Sequence, residues 1–145
     1  MKQIKVQGEE DMRGEIQQKL IIYQLMQKRM EELQQQAMLL ERRFMEIEIT
    51  KQAISDMEKL GENSELFFPL GSGVYARGKV AAAKDMMIEA GAGLMLKRSP
   101  EAAGKLLDAK VSDIEKSGKE LQEEINRTAA RMNGIAGELN RLAQG

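Results

Sequence analysis

Leu70-Gly71-Ser72-Gly73-Val74-Tyr75-Ala76 is answered twenty residues later by Ala90-Gly91-Ala92-Gly93-Leu94-Met95-Leu96. Each copy sets Gly-x-Gly between two apolar runs. Leu66-Phe67-Phe68-Pro69 leads into the first, and Met86-Met87-Ile88-Glu89 leads into the second. Glycine enters left-handed backbone without a Cβ clash, so this pattern predicts two tight β-hairpins. Isolated two-stranded hairpins are marginal in water. Residues 61–99 are therefore expected to complete a sheet or barrel with other chains. The oligomer interface expected from the first copy is Leu66, Phe67, Phe68, Leu70, Val74 and Tyr75, and from the second Met87, Ile88, Leu94 and Leu96.

Outward from the hairpins the periodicity changes from two to three and a half. Upstream, with Ile16 as position a, the a series is Ile16, Tyr23, Met30, Ala37, Phe44 and Lys51. The d series is Lys19, Met26, Leu33, Leu40, Ile47 and Ile54, and ten of the twelve positions are apolar. Such a stripe predicts a coiled-coil helix over 11–60. Gly61 is expected to end it by taking the left-handed C′ conformation. Downstream, Ser99 suits an N-cap and Pro100 a first helical position. From Leu107, spacings of four and three run through Val111, Ile114, Gly118, Leu121, Ile125, Thr128, Met132, Ile135, Leu139 and Leu142. This predicts a second coiled-coil helix over 100–143. Each stripe is too narrow to stand alone, so the helices are expected to zip antiparallel, with both termini at one tip and the hairpins at the other end. The fold class expected is α+β, mostly α, in a single domain over 1–145.

Composition removes most chemistry. The 145 residues include no Cys and no His, which excludes thiol nucleophiles, Ser-His triads and nearly all structural zinc sites. Twenty-two basic and 23 acidic residues leave a net charge of −1, unlike the concentrated basic face that nucleic acid or an anionic membrane requires. No stretch reaches the roughly 20 apolar residues of a membrane helix, and the amino terminus lacks a signal-peptide core. A cytoplasmic location is expected, with no nucleic acid or membrane partner.

The motifs that resemble active sites fail on their chemistry. Gly73 to Lys79 matches GxxxxGK, but Val80 stands where a Ser or Thr would reach Mg²⁺, and Val74-Tyr75 is a strand dipeptide. Gly71-Ser72-Gly73 lacks the third glycine of a dinucleotide fingerprint, since Ala76 occupies its place. Glu9-Glu10-Asp11, Glu31-Glu32 and Glu123-Glu124 alternate with Lys and Arg as solvated helix faces do. Lys51 reads as a polar residue that sets seam register. No catalytic residue, metal or cofactor is expected. The eleven methionines read first as adaptable core filling and second as a surface for varied partners.

One cluster does not fit a two-helix seam. Leu20, Ile21, Ile22 and Leu25 occupy e, f, g and c, positions that face water. Opposite them, Gly134 and Gly137 each weaken the second helix by about 1 kcal/mol relative to alanine. An apolar patch at a frayed tip is expected to hold a partner or client, through Ile16, Leu20, Ile21, Ile22 and Leu25 with Leu139 and Leu142 opposite, the alternative being a plain dimerisation surface.

The order helix, then Leu66-Phe67-Phe68-Pro69-Leu70-Gly71-Ser72-Gly73, then Ala90-Gly91-Ala92-Gly93-Leu94-Met95-Leu96-Lys97-Arg98-Ser99, then helix resembles prefoldin over residues 12–143. The duplicated hairpin resembles the alpha class, in an archaeal-type subunit; the beta class has a single hairpin. Lys79 stands where the family is usually apolar, Leu94 where it is usually aromatic, and Ala81-Ala82-Ala83 departs from the usual hairpin approach. The resemblance implies a hexamer of two alpha and four beta subunits, whose hairpins form a shared oligomeric β-barrel. It further implies an ATP-independent holdase that captures unfolded proteins at coiled-coil tips and delivers them to a group II chaperonin. The alternative is a structural coiled-coil scaffold or adaptor that binds one folded partner.

Overall fold

The computed structural model describes residues 2–81 and 84–145. The order is α1 (Lys2–Lys59), β1 (Glu65–Gly71), β2 (Val74–Lys79), β3 (Met86–Glu89), β4 (Met95–Arg98) and α2 (Pro100–Gln144). The chain is two long helices with two small antiparallel hairpins between them. It divides into two compact units, one of residues 1–41 with 116–145 and the other of residues 42–115.

In the first unit, the α1 and α2 segments run antiparallel, as the ion pairs Lys19–Glu138 and Arg29–Glu124 require. The heptad positions sort as the spacing predicts. Ile16, Lys19, Tyr23, Met30, Ala37 and Leu40 are half-buried, Met26 is buried, and Leu33 has no exposed surface. From α2, Gly118, Ile125, Met132, Ile135, Leu139 and Leu142 are half-buried, and Leu121 and Thr128 are buried. Among the described residues no buried side-chain nitrogen or oxygen lacks a partner, so Thr128 is accommodated without an orphaned hydroxyl. Leu33 at full burial contributes about 1.5–3 kcal/mol of transfer free energy.

The start of α1 differs from the expectation. It begins at Lys2 rather than Asp11, and Lys2–Glu15 are exposed throughout. Nothing in these first turns carries the stripe: Ile4 and Val6 are separated by one residue, Lys5, and followed by Gly8. The seam signal therefore begins later than the helix. The glycines of α2 do not interrupt it either, and it runs unbroken through Gly118, Gly134 and Gly137.

In the second unit, the end of α1 packs beside the start of α2. Phe44 lies at the edge of exposure, whereas Ile47, Lys51, Ile54, Leu107, Val111 and Ile114 are half-buried and Ala103 is buried. Helix α1 stops at Lys59, with the Leu60 amide donating to the Met57 carbonyl. Gly61 is not left-handed, contrary to expectation. Asn63 takes that conformation, at φ 66°, which its short polar side chain tolerates. The Asn63 amide then donates to the Val80 carbonyl at 2.8 Å, and the Val80 amide to the Ser64 carbonyl at 3.0 Å. These two bonds clip the end of β2 to the exit from α1, and Val80 is buried there. At the other boundary Ser99 caps α2, its Oγ accepting from the Ala102 amide at 3.2 Å.

The hairpins form where the glycine pattern places them. In the first, Leu66 pairs with Gly78, Phe67 with Arg77, Phe68 with Ala76 and Pro69 with Tyr75, with a bulge before Gly71 pairs with Val74. In the second, Met86 pairs with Arg98, Met87 with Lys97, Ile88 with Leu96 and Glu89 with Met95. The two sheets stay separate, each two-stranded. Their turns share one backbone: Gly71, Ser72 and Gly73 have φ of 121°, 48° and 78°, and Gly91, Ala92 and Gly93 have 99°, 52° and 74°. Ala82 and Ala83, part of the departing approach segment, lie outside the described residues.

Candidate functional site

The first unit carries the apolar cluster. Leu20, Ile21, Ile22 and Leu25 are 44%, 57%, 42% and 63% exposed, on one and a half turns of α1. The other three residues expected beside them, Ile16, Leu139 and Leu142, are half-buried on the seam instead. The helix keeps these roles apart because e, f, g and c positions lie off the a/d stripe that holds α2.

Ion pairs fix the register on either side of the cluster. Lys19 donates to the Glu138 carboxylate and lies 3.8 Å from Glu15. The hydrogen bond to Glu138 raises the Lys19 pKa above its ordinary value and lowers that of Glu138. One turn beyond the cluster, Arg29 grips Glu124 Oε1 through Nη2 at 2.6 Å and Nε at 3.2 Å, and meets Glu32 at 3.3 Å. The Glu124 bond, followed by that to Glu32, raises the Arg29 pKa. Between these pairs runs a groove of about 460 Å³, with Ile22, Leu25 and Met26 on the α1 side and Arg127, Thr128 and Arg131 on the α2 side. The sequence reading found the apolar wall of this groove and missed its arginines, because heptad spacing on one helix does not say which exposed residues of the other it faces.

The second unit carries the hairpin surface. Phe67, Phe68, Leu70, Val74, Tyr75, Met87 and Leu94 are exposed, while Leu66, Ile88 and Leu96 are half-buried. On the first hairpin, Leu66 and Phe68 share a face with Ala76 and Gly78, and the opposite face carries Phe67, Pro69, Tyr75 and Arg77. The Arg77 guanidinium stands 5.4 Å from the Phe67 ring centre. On the second, Met86, Ile88 and Leu96 share a face, and Met86 and Ile88 line a cavity of about 280 Å³ together with Ile54, Ala103 and Leu106. Lys51 behaves as a polar seam residue: its Nζ lies 2.7 Å from Asp108 Oδ1 and 3.7 Å from Glu48. The Asp108 bond raises its pKa.

The GxxxxGK match falls on β2, whose amides pair with β1 and cannot wrap a phosphate. Among the described residues no group of three or more acidic side chains is placed to hold a metal ion, and no helix is long and apolar enough to cross a membrane.

A pair of seam-forming helices that carries twin Gly-x-Gly hairpins defines a mostly helical coiled-coil subunit. Comparison with family models matches residues 26–145 to Prefoldin, described as "Prefoldin subunit". The chain belongs to the prefoldin family, a chaperone family and not a class of enzymes. Its relatives include the prefoldin subunit alpha of Archaeoglobus fulgidus, 26% identical over 86% of this chain and 91% of that one. The prefoldin subunit alpha of Pyrococcus horikoshii is 27% identical over 84% and 80%. That of Methanothrix thermoacetophila is 32% identical over 48% of this chain and 45% of its own length. Among solved structures, a chain of filamentous PFD from Methanocaldococcus jannaschii superposes with a TM-score of 0.72, covering 84% of this chain and 98% of that one. At 16% identity this likeness establishes the shared fold.

Proposed function

We propose that the chain is the alpha-class subunit of an ATP-independent holdase. The observation that carries this is the Leu20, Ile21, Ile22 and Leu25 cluster: four large apolar side chains on consecutive turns, all more than a third exposed, beside a helix pairing that does not need them. An unfolded chain offers apolar segments of no fixed sequence, and a shallow apolar patch meets them without demanding a shape. Each such contact is weak once ordering costs are deducted, so several subunits on one body must act together through high effective concentration.

The body is a β-barrel built from the exposed hairpins, with Phe67, Phe68, Leu70, Val74, Tyr75, Met87 and Leu94 in its contacts, in a hexamer of two alpha and four beta subunits. Clients pass from the helix ends to a group II chaperonin, in the cytoplasm. The test is suppression of aggregation of several unrelated denatured proteins, at stoichiometric amounts and without nucleotide. Protection of one protein alone, or of none, overturns the reading and favours a scaffold for a folded partner. Assembly is tested by sedimentation: the subunit alone self-associates, and a beta-class partner converts it to a defined hexamer. A monomer at every concentration overturns the barrel.

A further inference from the structure

The groove beside the apolar cluster is not electrically neutral. Three arginines, Arg29, Arg127 and Arg131, line it together with a single carboxylate, that of Glu124, which Arg29 already engages. Among the described residues neither Arg127 nor Arg131 has a carboxylate within 4.0 Å. They stand one turn apart on α2, a like-charge i,i+4 arrangement that disfavours the helix slightly unless an anion lies between the two heads. The chain as a whole is acidic, with a pI near 5.7, so this is a local reversal of sign. The opposite wall is apolar, formed by Ile22, Leu25 and the buried edge of Met26.

We propose that this groove takes an extended or helical segment of unfolded chain bearing an aspartate or glutamate next to large apolar side chains. The apolar residues lie on Ile22 and Leu25, and the carboxylate bridges Arg127 and Arg131. Guanidinium is the suitable head group for this, being planar, permanently charged and weakly hydrated, with a fork that matches a carboxylate. Two arginines on one turn are too few for a nucleic-acid backbone, whose binding gathers charge along many phosphates. The apolar wall alone does not discriminate among clients, and the arginines supply the discrimination. The proposal rests on the holdase reading and names the segments that this end of the subunit prefers.

The test compares two fluorescent peptides of the same apolar content, one with two glutamates beside its leucines and one with glutamines there. Binding to the assembled full chain is read by anisotropy at low and high salt. The glutamate peptide binds roughly fivefold tighter at low salt, as two exposed charge pairs allow, and the preference shrinks at high salt. The R127Q/R131Q double variant, which keeps good helix formers, binds both peptides about equally. Equal affinities in the parent at low salt, or a preference that survives both the variant and high salt, overturn the proposal and leave the holdase reading standing. Failure of both peptides to bind at all overturns both readings. If the double variant misfolds, the salt dependence of the parent alone decides.

Discussion

The Phe68 ring lies over Gly78 on the neighbouring strand, so close that a Cβ at position 78 would come within 2.7 Å of its Cε2. A glycine in a strand interior ordinarily weakens the sheet; here its bareness lets an aromatic ring cover the ladder. Gly78→Ala is expected to push the ring off the strand and cost about 1–3 kcal/mol. Loss of protection at the β1–β2 amides in hydrogen exchange checks this, and unchanged exchange refutes it.

Ala92 holds a left-handed backbone at φ 52°. That conformation costs an L-residue with a Cβ about 1–2 kcal/mol, and glycine would avoid it at a smaller entropic cost. Ala92→Gly should slow exchange of the Ala90 and Leu94 amides, which close the turn. Faster exchange would show that chain entropy outweighs strain.

Gly134 and Gly137 sit inside α2 with open space where a Cβ would go. Gly134→Ala and Gly137→Ala should each add up to about 1 kcal/mol and raise the melting temperature by a few degrees. A lower melting temperature would mean that these positions are in contact with something their open surroundings do not reveal.

Glu138 has a lowered pKa because Lys19 donates to its ionised form. A carboxylate depressed in the folded state contributes stability above its unfolded pKa, near 4.3, and loses it as pH falls through the folded value. Lys19, raised by the same bond, contributes below its unfolded pKa and loses that contribution only at alkaline pH. Glu138→Gln should therefore lower the melting temperature most near neutrality, and the gap from the parent should close below about pH 4. Melts across pH 3 to 8 check it; a constant gap would assign the effect to packing.

Ile21 and Leu25 occupy f and c, off the seam. Ile21→Ser with Leu25→Ser should leave assembly and melting nearly unchanged while removing apolar surface worth about 1.5–3 kcal/mol per side chain when buried by a client. More subunit should then be needed to protect the same amount of denatured protein. A double variant that protects every client as well as the parent would remove this patch from the site.

The seam was readable because heptad spacing is a one-dimensional record of burial: eleven of the twelve α1 positions are at least half-buried, with Phe44 at the margin. The hairpins were readable because left-handed turns demand particular residues. What escaped has a physical reason in each case. The first turns of α1 are a helix with no face to bury. Val80 is buried by two backbone bonds to the Asn63–Ser64 turn, a contact no local pattern announces. Ala103, buried, stands ahead of Leu107, where the readable spacing of α2 begins. Arg127 and Arg131 acquire meaning only when α1 lies opposite them.

With no tryptophan in the sequence, Tyr23 and Tyr75 dominate its near-ultraviolet emission over the weakly emitting phenylalanines. One is half-buried on the seam of the first unit, and the other is exposed on β2 in the second. The subunit thus carries a built-in pair of optical reporters. Quenching of Tyr75 alone would time the docking of hairpins between subunits, and a change at Tyr23 would follow the opening of the helix pair. Single Tyr→Phe variants separate the two signals without adding a dye.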